Sequence, residues 1–218
     1  MILVKPSFEV LDIMADLSEY GPLQLIEYAG RTCYKSESAI SNYSSQKFIM
    51  ARLDDGHESV IEHSAMTVKI ICDRGVTHEI VRHRLCAFSQ ESTRYCNYKG
   101  GVTFVIPFWC TDLLEGTYEL PLHKSVSDAT NAWLEVMQLA EDHYTTLLNL
   151  GWSPQQARSV LPNSTKTEII ITANFREWRH IFKLRCAKAA HPQMREIMIP
   201  LHVKAKELIP TIFDDITY

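Results

Sequence analysis

The sequence is poor in glycine and lacks the two common glycine-rich phosphate motifs. Eight of its 218 residues are glycine, and they form neither a Gly-x-Gly-x-x-Gly pattern nor a Gly-x-x-x-x-Gly-Lys-Ser/Thr loop. Those motifs bring backbone N–H groups against the phosphates of nucleotides. Their absence argues against a Rossmann or P-loop cradle, so any phosphate bound here would be held by side chains.

Paired cysteines, an apolar opening segment and long apolar runs are also missing. None of the six cysteines forms a Cys-x-x-Cys pair, which favours a reducing compartment, so we expect a cytoplasmic protein with six small buried thiols. Apolar runs such as residues 70–72 are far too short to span a bilayer, so no membrane association is expected.

A basic excess is absent as well. The formal net charge is −4 and the isoelectric point is near 6.1, which argues against binding of a nucleic-acid polymer over a broad surface. Hydrophobic residues make up 46% of the chain and charged residues 22%, as in ordinary globular proteins. No linker or repeat divides the chain, so we predict a single domain over residues 1–218.

Periodicity predicts long helices and a few scattered strands. The fold class is therefore α+β, with a mostly antiparallel sheet flanked by long helices. Predicted strands are Met1–Val4, Met66–Cys72, Val102–Phe108 and Glu168–Thr172. Predicted helices are Pro22–Tyr34, Ser45–Asp55, Val76–Arg84, Ala129–Leu150, a short one from Pro154 to before Pro162, Asn174–Arg185, and Pro192–Ile209 with a kink or break at Pro200.

The segment from Arg82 to Arg94 concentrates positive charge and hydrogen-bond donors. Its thirteen residues include three arginines, one histidine and two serines. Guanidinium and hydroxyl groups together suit phosphate oxygens, whereas the plainer alternative is a solvated basic end of a helix. If residues 76–84 are helical, Arg82 and Arg84 point to different sides and would serve different ligands or different chains.

Two further arginines are candidates for buried or site positions. Arg158 has mostly apolar neighbours, so its charge is either partly buried against an anion or exposed beside a core stripe. In the helix from Asn174, we place Arg176, Arg179 and Lys183 on the polar side. Arg185 then points with the core stripe, toward a ligand or a buried carboxylate.

The stretch from His57 to His63 invites a metal interpretation that the spacing does not support. On a helix the two histidines would be about 240° apart at ~100° per residue, so one ion could not bind both. We therefore expect no metal.

These segments together resemble the flavin-dependent thymidylate synthases, in register over roughly residues 56–199. The matching motifs are Gly56-His57-Glu58-Ser59 with Glu62-His63, Arg82-His83-Arg84 through Ser92-Thr93-Arg94-Tyr95, Ala157-Arg158-x-x-Leu161-Pro162, Asn174-x-Arg176 with His180 and Arg185, and His191-Pro192-Gln193 before Glu196-Ile197. The resemblance implies reductive methylation of dUMP to dTMP by a homotetramer whose sites are shared between subunits. It also implies FAD as cofactor, with NADPH and methylenetetrahydrofolate as co-substrates.

The resemblance also implies roles for individual residues. Arg185 would be catalytic, facing the uracil ring and favouring its N3-deprotonated form. FAD would contact Ser59, Arg82, His83, Arg84, Gln90, Asn174, Arg176 and His180. The substrate dUMP would contact Glu79, Arg82, Gln90, Glu91, Ser92, Thr93, Arg94, Arg158 and Arg185, with Ser92 assigned to binding. Glu79 departs from the family pattern, in which a neutral amide is common.

Two functions from other classes remain as alternatives. The first is a cytoplasmic RNA- or nucleotide-binding module that grips phosphates with Arg82–Arg94. The second is a metal-dependent hydrolase built on His57–His63. A flavin spectrum of the purified protein would favour the synthase over both.

Overall fold

The structure is a computed structural model that describes residues 1–14, 21–121 and 126–218. Its described strands are β1 Ile2–Val4, β2 Ser7–Ile13, β3 Ala65–Asp73, β4 Ala87–Gln90, β5 Thr103–Val105, β6 Gly116–Thr117 and β7 Lys166–Asn174. Its described α-helices are α1 Pro22–Thr32, α2 Ser44–Asp54, α3 Arg74–Ile80, α4 Asp128–Asn149, α5 Pro154–Ala157, α6 Phe175–Arg185, α7 Pro192–Leu208 and α8 Pro210–Phe213.

The predicted α+β class is confirmed. One sheet has the strand order β2-β3-β7-β4 and a smaller one the order β5-β1-β6. Strands β3 and β7 run antiparallel. Thr67 contacts Thr172, and further along the chain the backbone N–H of Arg74 donates to the Asn163 carbonyl, so residue numbers rise along one strand as they fall along the other. In the smaller sheet β1 pairs parallel with β5 and antiparallel with β6.

Contacts divide the chain into two compact units whose segments alternate in sequence. The first unit comprises Met1–Ser7, Ile70–Arg82 and Ser89–Ile169, and the second Phe8–Lys69, His83–Phe88 and Ile170–Tyr218. Each of β3 and β7 contributes residues to both. The single domain over residues 1–218 stays a prediction, and its residues 15–20 and 122–125 lie outside those described.

The core of the first unit packs the smaller sheet against α4. The helix begins where Ser127 Oγ accepts a hydrogen bond from the Thr130 backbone, and Leu134, Met137 and Tyr144 are buried. The i, i+3, i+4, i+7 pattern of this helix predicts Val136 on its buried side, which is wrong: that side chain is 55% exposed, and Leu134 is buried instead.

The core of the second unit forms around α6. Asn174 Oδ1 accepts from the Glu177 backbone at 2.9 Å, so the predicted N-cap is confirmed. The fully buried Trp178 donates from Nε1 to the Met66 carbonyl at 2.9 Å, and Phe182 stacks on it with ring centroids 5.5 Å apart. Helix α7 is continuous through Pro200, so the predicted division of that helix does not occur.

Three other predictions need correction. Strands β2, β4 and β6 and helix α8 were not predicted. Strands β4 and β6 and helix α8 have four residues or fewer, too few for a clear period, whereas β2 is seven residues long and was missed. The predicted short helix from Pro154 does open with the Ser153–Gln156 capping box, but it becomes a 3-10 turn at Arg158–Val160. All six cysteines are free thiols, yet Cys33 is exposed and Cys86 and Cys96 are half-buried.

Candidate functional site

The Arg82-His83-Arg84 segment lies in a turn and not on a helix. Helix α3 begins at the Asp73 N-cap and ends at Ile80, where the Val81 and Arg82 backbone N–H groups bond back to carbonyls of residues 77 and 79. The predicted helix Val76–Arg84 is therefore too long by one turn. A helix that continued to residue 84 would line up Arg74, His78 and Arg82 one turn apart, but Arg82 lies beyond the helix end.

The turn buries His83 and exposes its two arginine neighbours. His83 is 6% exposed, whereas Arg82 and Arg84 are exposed. Arg185 Nε donates to His83 Nε2 at 3.0 Å, and His83 Nδ1 lies 3.4 Å from Glu177 Oε1. Burial, with smaller contributions from Arg185 and His180, lowers the pKa of His83 to about 4. The imidazole is therefore neutral near pH 7.

His83, Glu177 and His180 have the spacing of metal ligands. Their ligand atoms lie within 4.8 Å of one another, and neither His57 nor His63 belongs to such a group among the described residues. The Arg185 guanidinium already occupies the Nε2 lone pair of His83, and a second cation beside it would be repelled. A metal ion at this cluster would have to bind His83 through Nδ1, on the side of Glu177, with the charge of Arg185 across the ring.

A pocket of about 640 Å³ opens in the second unit beside this cluster. It brings together three of the predicted FAD-binding residues, Asn174, Arg176 and His180. Its other lining residues are Glu58, Glu62, Leu85, Glu177 and Lys183. Such a volume is usual for small-molecule sites. Ser59 is exposed on the 3-10 helix Glu58–His63, which supplies two of these lining residues.

Carboxylates hold the cations of this pocket in place. Arg176 Nη1 bonds to Glu62 Oε1 at 2.5 Å, and Lys183 Nζ lies 3.6 Å from Glu58 Oε1. Sequence reasoning did not select Glu58, Glu62 or Lys183 as site residues. Glu58 and Glu62 could have been selected, because both belong to the family motif that begins at Gly56.

Arg179 is buried, so its predicted place on the polar side of α6 is wrong. It is 2% exposed and forms a two-pronged ion pair with Asp215, at 2.5 and 2.6 Å. The carboxylate of a distant residue makes that burial possible, which helix periodicity alone does not reveal. Arg185, by contrast, is half-buried as expected.

In the first unit, residues 90–94 comprise the last residue of β4 and the loop that follows it, and the side chains of Gln90 and Glu91 bond to other residues of this unit. Gln90 Nε2 donates to Thr77 Oγ1 at 3.0 Å and to Thr167 Oγ1 at 3.2 Å. Glu91 accepts from Tyr98 at 2.6 Å and from Lys166 at 3.2 Å. Burial, and then this bond to Glu91, raise the pKa of Tyr98, which stays a hydrogen-bond donor. These contacts anchor the loop.

Two exposed arginines, Arg94 of this loop and Arg158 of the 3-10 turn, lie near the buried Thr93. Arg158 Nη1 donates to Thr93 Oγ1 at 3.3 Å, and Arg94 Nε donates to Gln155 Oε1 at 2.9 Å. Ser92 Oγ accepts from the Arg94 backbone at 3.3 Å. Arg158 is exposed, which decides against the partly buried alternative. The fork of each guanidinium keeps further donors for an anion. Glu79 is half-buried on α3 of this unit.

A family model described as thymidylate synthase complementing protein matches residues 16–211 of the chain. The chain belongs to this family of flavin-dependent thymidylate synthases. It is 33% identical over 200 residues to a flavin-dependent thymidylate synthase of Mycobacteroides abscessus, covering 88% of this chain and 78% of that one. The corresponding enzyme of Geobacter sulfurreducens is 32% identical over 202 residues, covering 89% and 82%.

The solved structures agree with this family. A UMP/dUMP methylase, PolB, from Streptomyces cacaoi bound with 5-Br dUMP superposes with a TM-score of 0.77 at 25% identity, covering 98% of this chain and 96% of that one. The chain is therefore an enzyme of a flavin-dependent family, and the nucleic-acid module and metal hydrolase alternatives find no support. None of the described helices is both long and apolar enough to cross a membrane.

The neutral state of His83 predicts a pH dependence of stability. Between about pH 6.5 and 4 the unfolded chain takes up a proton at His83 that the folded protein does not, so stability is complete above pH 6.5 and falls toward pH 4. The wild-type melting temperature should therefore drop more between pH 7 and 4.5 than that of His83→Gln. Equal drops in the two proteins would contradict the neutral buried imidazole.

Proposed function

We propose that this protein catalyses the reductive methylation of dUMP to dTMP, with methylenetetrahydrofolate as one-carbon donor and NADPH as reductant of a bound FAD. The bound flavin would supply the hydride-transfer chemistry. The observation that supports the proposal most strongly is the pocket in which Asn174, Arg176 and His180 converge, within a chain of this family.

The residues of that pocket fit a flavin. Arg176 and Lys183 would bind its phosphates, and His180 would pack against its ring system. Asn174 would donate from its amide Nδ2, since its Oδ1 already accepts the helix N-cap bond. The carboxylates of Glu58 and Glu62 hold Arg176 at the wall of the pocket before the cofactor arrives. We also assign Ser59, Arg82, His83, Arg84 and Gln90 to FAD.

The loop of residues 90–94 would bind the nucleotide. Arg94, Arg158 and Ser92 are assigned to the phosphate of dUMP, because Ser92 Oγ contacts the Arg94 backbone and the Arg158 guanidinium is bonded to the neighbouring Thr93. Glu91 and Gln90 would hold the loop in shape through their internal bonds, and Thr93 would hold Arg158. We also assign Arg82 and Glu79 to the binding of dUMP.

Arg185 is assigned to the pyrimidine. An always-charged guanidinium stabilises negative charge that develops on the uracil ring, which is the requirement of electrostatic catalysis. Its bond to His83 fixes the guanidinium plane, so little reorganisation is needed during the reaction.

A direct assay tests the proposal. Purified protein should be yellow with a flavin absorption spectrum, and it should form dTMP from dUMP only when methylenetetrahydrofolate and NADPH are both present. A colourless protein that gains no flavin from added FAD, and makes no dTMP, would contradict the proposal. A gel-shift experiment with RNA tests the alternative, an RNA-binding module, and should show no shifted band.

The proposal includes a homotetramer with shared sites. An inactive Arg82→Ala variant mixed with an inactive Arg185→Ala variant should regain part of the activity, because intact residues can then come from different subunits. Either variant at twice the concentration is the control and should stay inactive. A 25.0 kDa monomer in sedimentation that still binds FAD and turns over would contradict shared sites.

A further inference from the structure

Glu177, His83 and Arg185 form a continuous chain of side chains within the second unit. Glu177 lies in the first turn of α6 and Arg185 is its last residue, while His83 bridges the two from the turn before β4. The two links measure 3.4 Å from Glu177 Oε1 to His83 Nδ1 and 3.0 Å from His83 Nε2 to Arg185 Nε. The exposed fractions of His83 and Glu177 are 6% and 8%, so water competes little for these contacts.

The chemistry of the three groups determines which nitrogen of His83 carries the proton. A guanidinium has donors only, so the Nε2 atom that meets Arg185 must offer a lone pair. A neutral imidazole has one N–H, and that hydrogen must then sit on Nδ1. The Nδ1–H then lies on the side of the Glu177 carboxylate, whose Oε1 is 3.4 Å from Nδ1 and attracts this proton. Without the Glu177 carboxylate, His83 could adopt the Nε2–H tautomer. Its Nε2–H would then face the N–H groups of Arg185, and the hydrogen bond between the two residues would be lost.

The position of Glu177 is set independently of His83. Its backbone N–H is tied to Asn174 Oδ1 at 2.9 Å, and a carboxylate in the first turn of a helix is stabilised by the helix dipole. The cap fixes the backbone of Glu177, and burial of its side chain to 8% exposure limits the positions open to the carboxylate beside the imidazole.

Two other roles for Glu177 disagree with the contacts. As an activator of the neighbouring Cys86 it would have to lower the thiol pKa, but burial and then the charge of Glu177 raise the pKa of Cys86 to about 12. As a metal ligand with His83 and His180 it would place an ion beside the Arg185 guanidinium, which already occupies His83 Nε2.

We propose that Glu177 is a positioning residue that holds His83 in its Nδ1–H tautomer and thereby orients Arg185 toward the pyrimidine. The catalytic part of this inference rests on the proposed function. The tautomer and the contact with Arg185 do not, because they are properties of the protein whatever its substrate.

Histidine-labelled holoprotein tests the first link. In ¹⁵N solid-state spectra, with the His83 signals assigned by their loss in His83→Gln, wild-type His83 should be neutral with its proton on Nδ1. Glu177→Leu should convert it wholly or partly to the Nε2–H tautomer, and Glu177→Gln should retain Nδ1–H because the amide oxygen still accepts. An Nε2–H tautomer in the wild type would overturn the proposal without any variant. An unchanged tautomer in Glu177→Leu would do the same.

Turnover tests the second link. Glu177→Leu should lower kcat for dTMP formation by about 10–100-fold, the usual loss when a partner that orients an active group is removed. The rate is expressed per bound flavin, because Glu177 lines the flavin pocket. KM for dUMP should stay within about twofold, and Glu177→Gln should recover most of the rate. Glu207→Leu is the matched control, because Glu207 is exposed and pairs only on the helix surface with Lys204 at 2.9 Å. A lower melting temperature with normal kcat would assign Glu177 a purely structural role and overturn the proposal.

A double-variant cycle shows whether Glu177 acts on turnover through Arg185 or independently of it. If Glu177 acts through Arg185, the Glu177→Leu penalty should shrink to about twofold or less in an Arg185→Lys background. Full additivity would overturn the proposal, as would a bound metal in the wild type that Glu177→Leu loses. If the wild type makes no dTMP, the proposed function fails, and the ¹⁵N result still decides the Glu177–His83–Arg185 chain.

Discussion

Arg185→Lys is expected to lower the rate of dTMP formation by about 10²–10³-fold, the usual loss when one preorganised donor of a transition state is removed. Lysine keeps the positive charge but loses the planar fork that bonds to His83 Nε2 at 3.0 Å while still facing a ligand. Binding of dUMP should change little, since Ser92, Arg94 and Arg158 are assigned to its phosphate. Flavin content and NADPH oxidation without dUMP should also be nearly unchanged.

A structural role for Arg185 predicts a different result. Loss of its bond to the buried His83 would leave the Nε2 lone pair unsatisfied, which costs about 1–3 kcal/mol of stability and lowers the melting temperature. Thymidylate formation and melting temperature should therefore be measured on the same preparation. A normal rate in a destabilised protein would remove Arg185 from the active site.

The Arg84→Ala/Arg176→Ala double variant is expected to bind FAD at least about a hundredfold more weakly and to purify largely colourless. Two charge-assisted hydrogen bonds are each worth about 1.5–3 kcal/mol, and about 1.4 kcal/mol corresponds to a tenfold change in affinity. The structure adds a second reason. Without Arg176, Glu62 loses the cation that it contacts at 2.5 Å. Among the described residues Glu58 then keeps only Lys183 and Arg179, so the negative charge left at the pocket repels the phosphates of the cofactor.

A charge-matched variant provides the control for this experiment. Lys47→Ala/Lys204→Ala also removes two cations, but both lysines are exposed and neither lines the pocket. It should retain the yellow colour. Stoichiometric flavin in Arg84→Ala/Arg176→Ala would show that the cofactor assignment is wrong.

Local sequence signals predicted the elements that carry the site. The Asn174 N-cap and the Ser153–Gln156 capping box act through bonds between neighbouring residues, so they are legible in the sequence and are present in the structure. The α+β class followed from long periodic helices such as α4, where many residues repeat one pattern. Two-residue strands such as β6 carry no such signal.

What the sequence by itself determined is the set of chemical groups and their local framework: the cationic segment from Arg82 to Arg94, the arginines of α6 and the motifs that mark the family. Tertiary structure alone decided which of these groups meet. It buried Arg179 against Asp215, ended α3 before Arg82 and placed His83 between Glu177 and Arg185. These pairings join residues separated by 36 to 102 positions in the chain. Hydrogen bonds and burial act over a few ångströms of space, so their partners follow from the packing of the core and not from spacing along the chain.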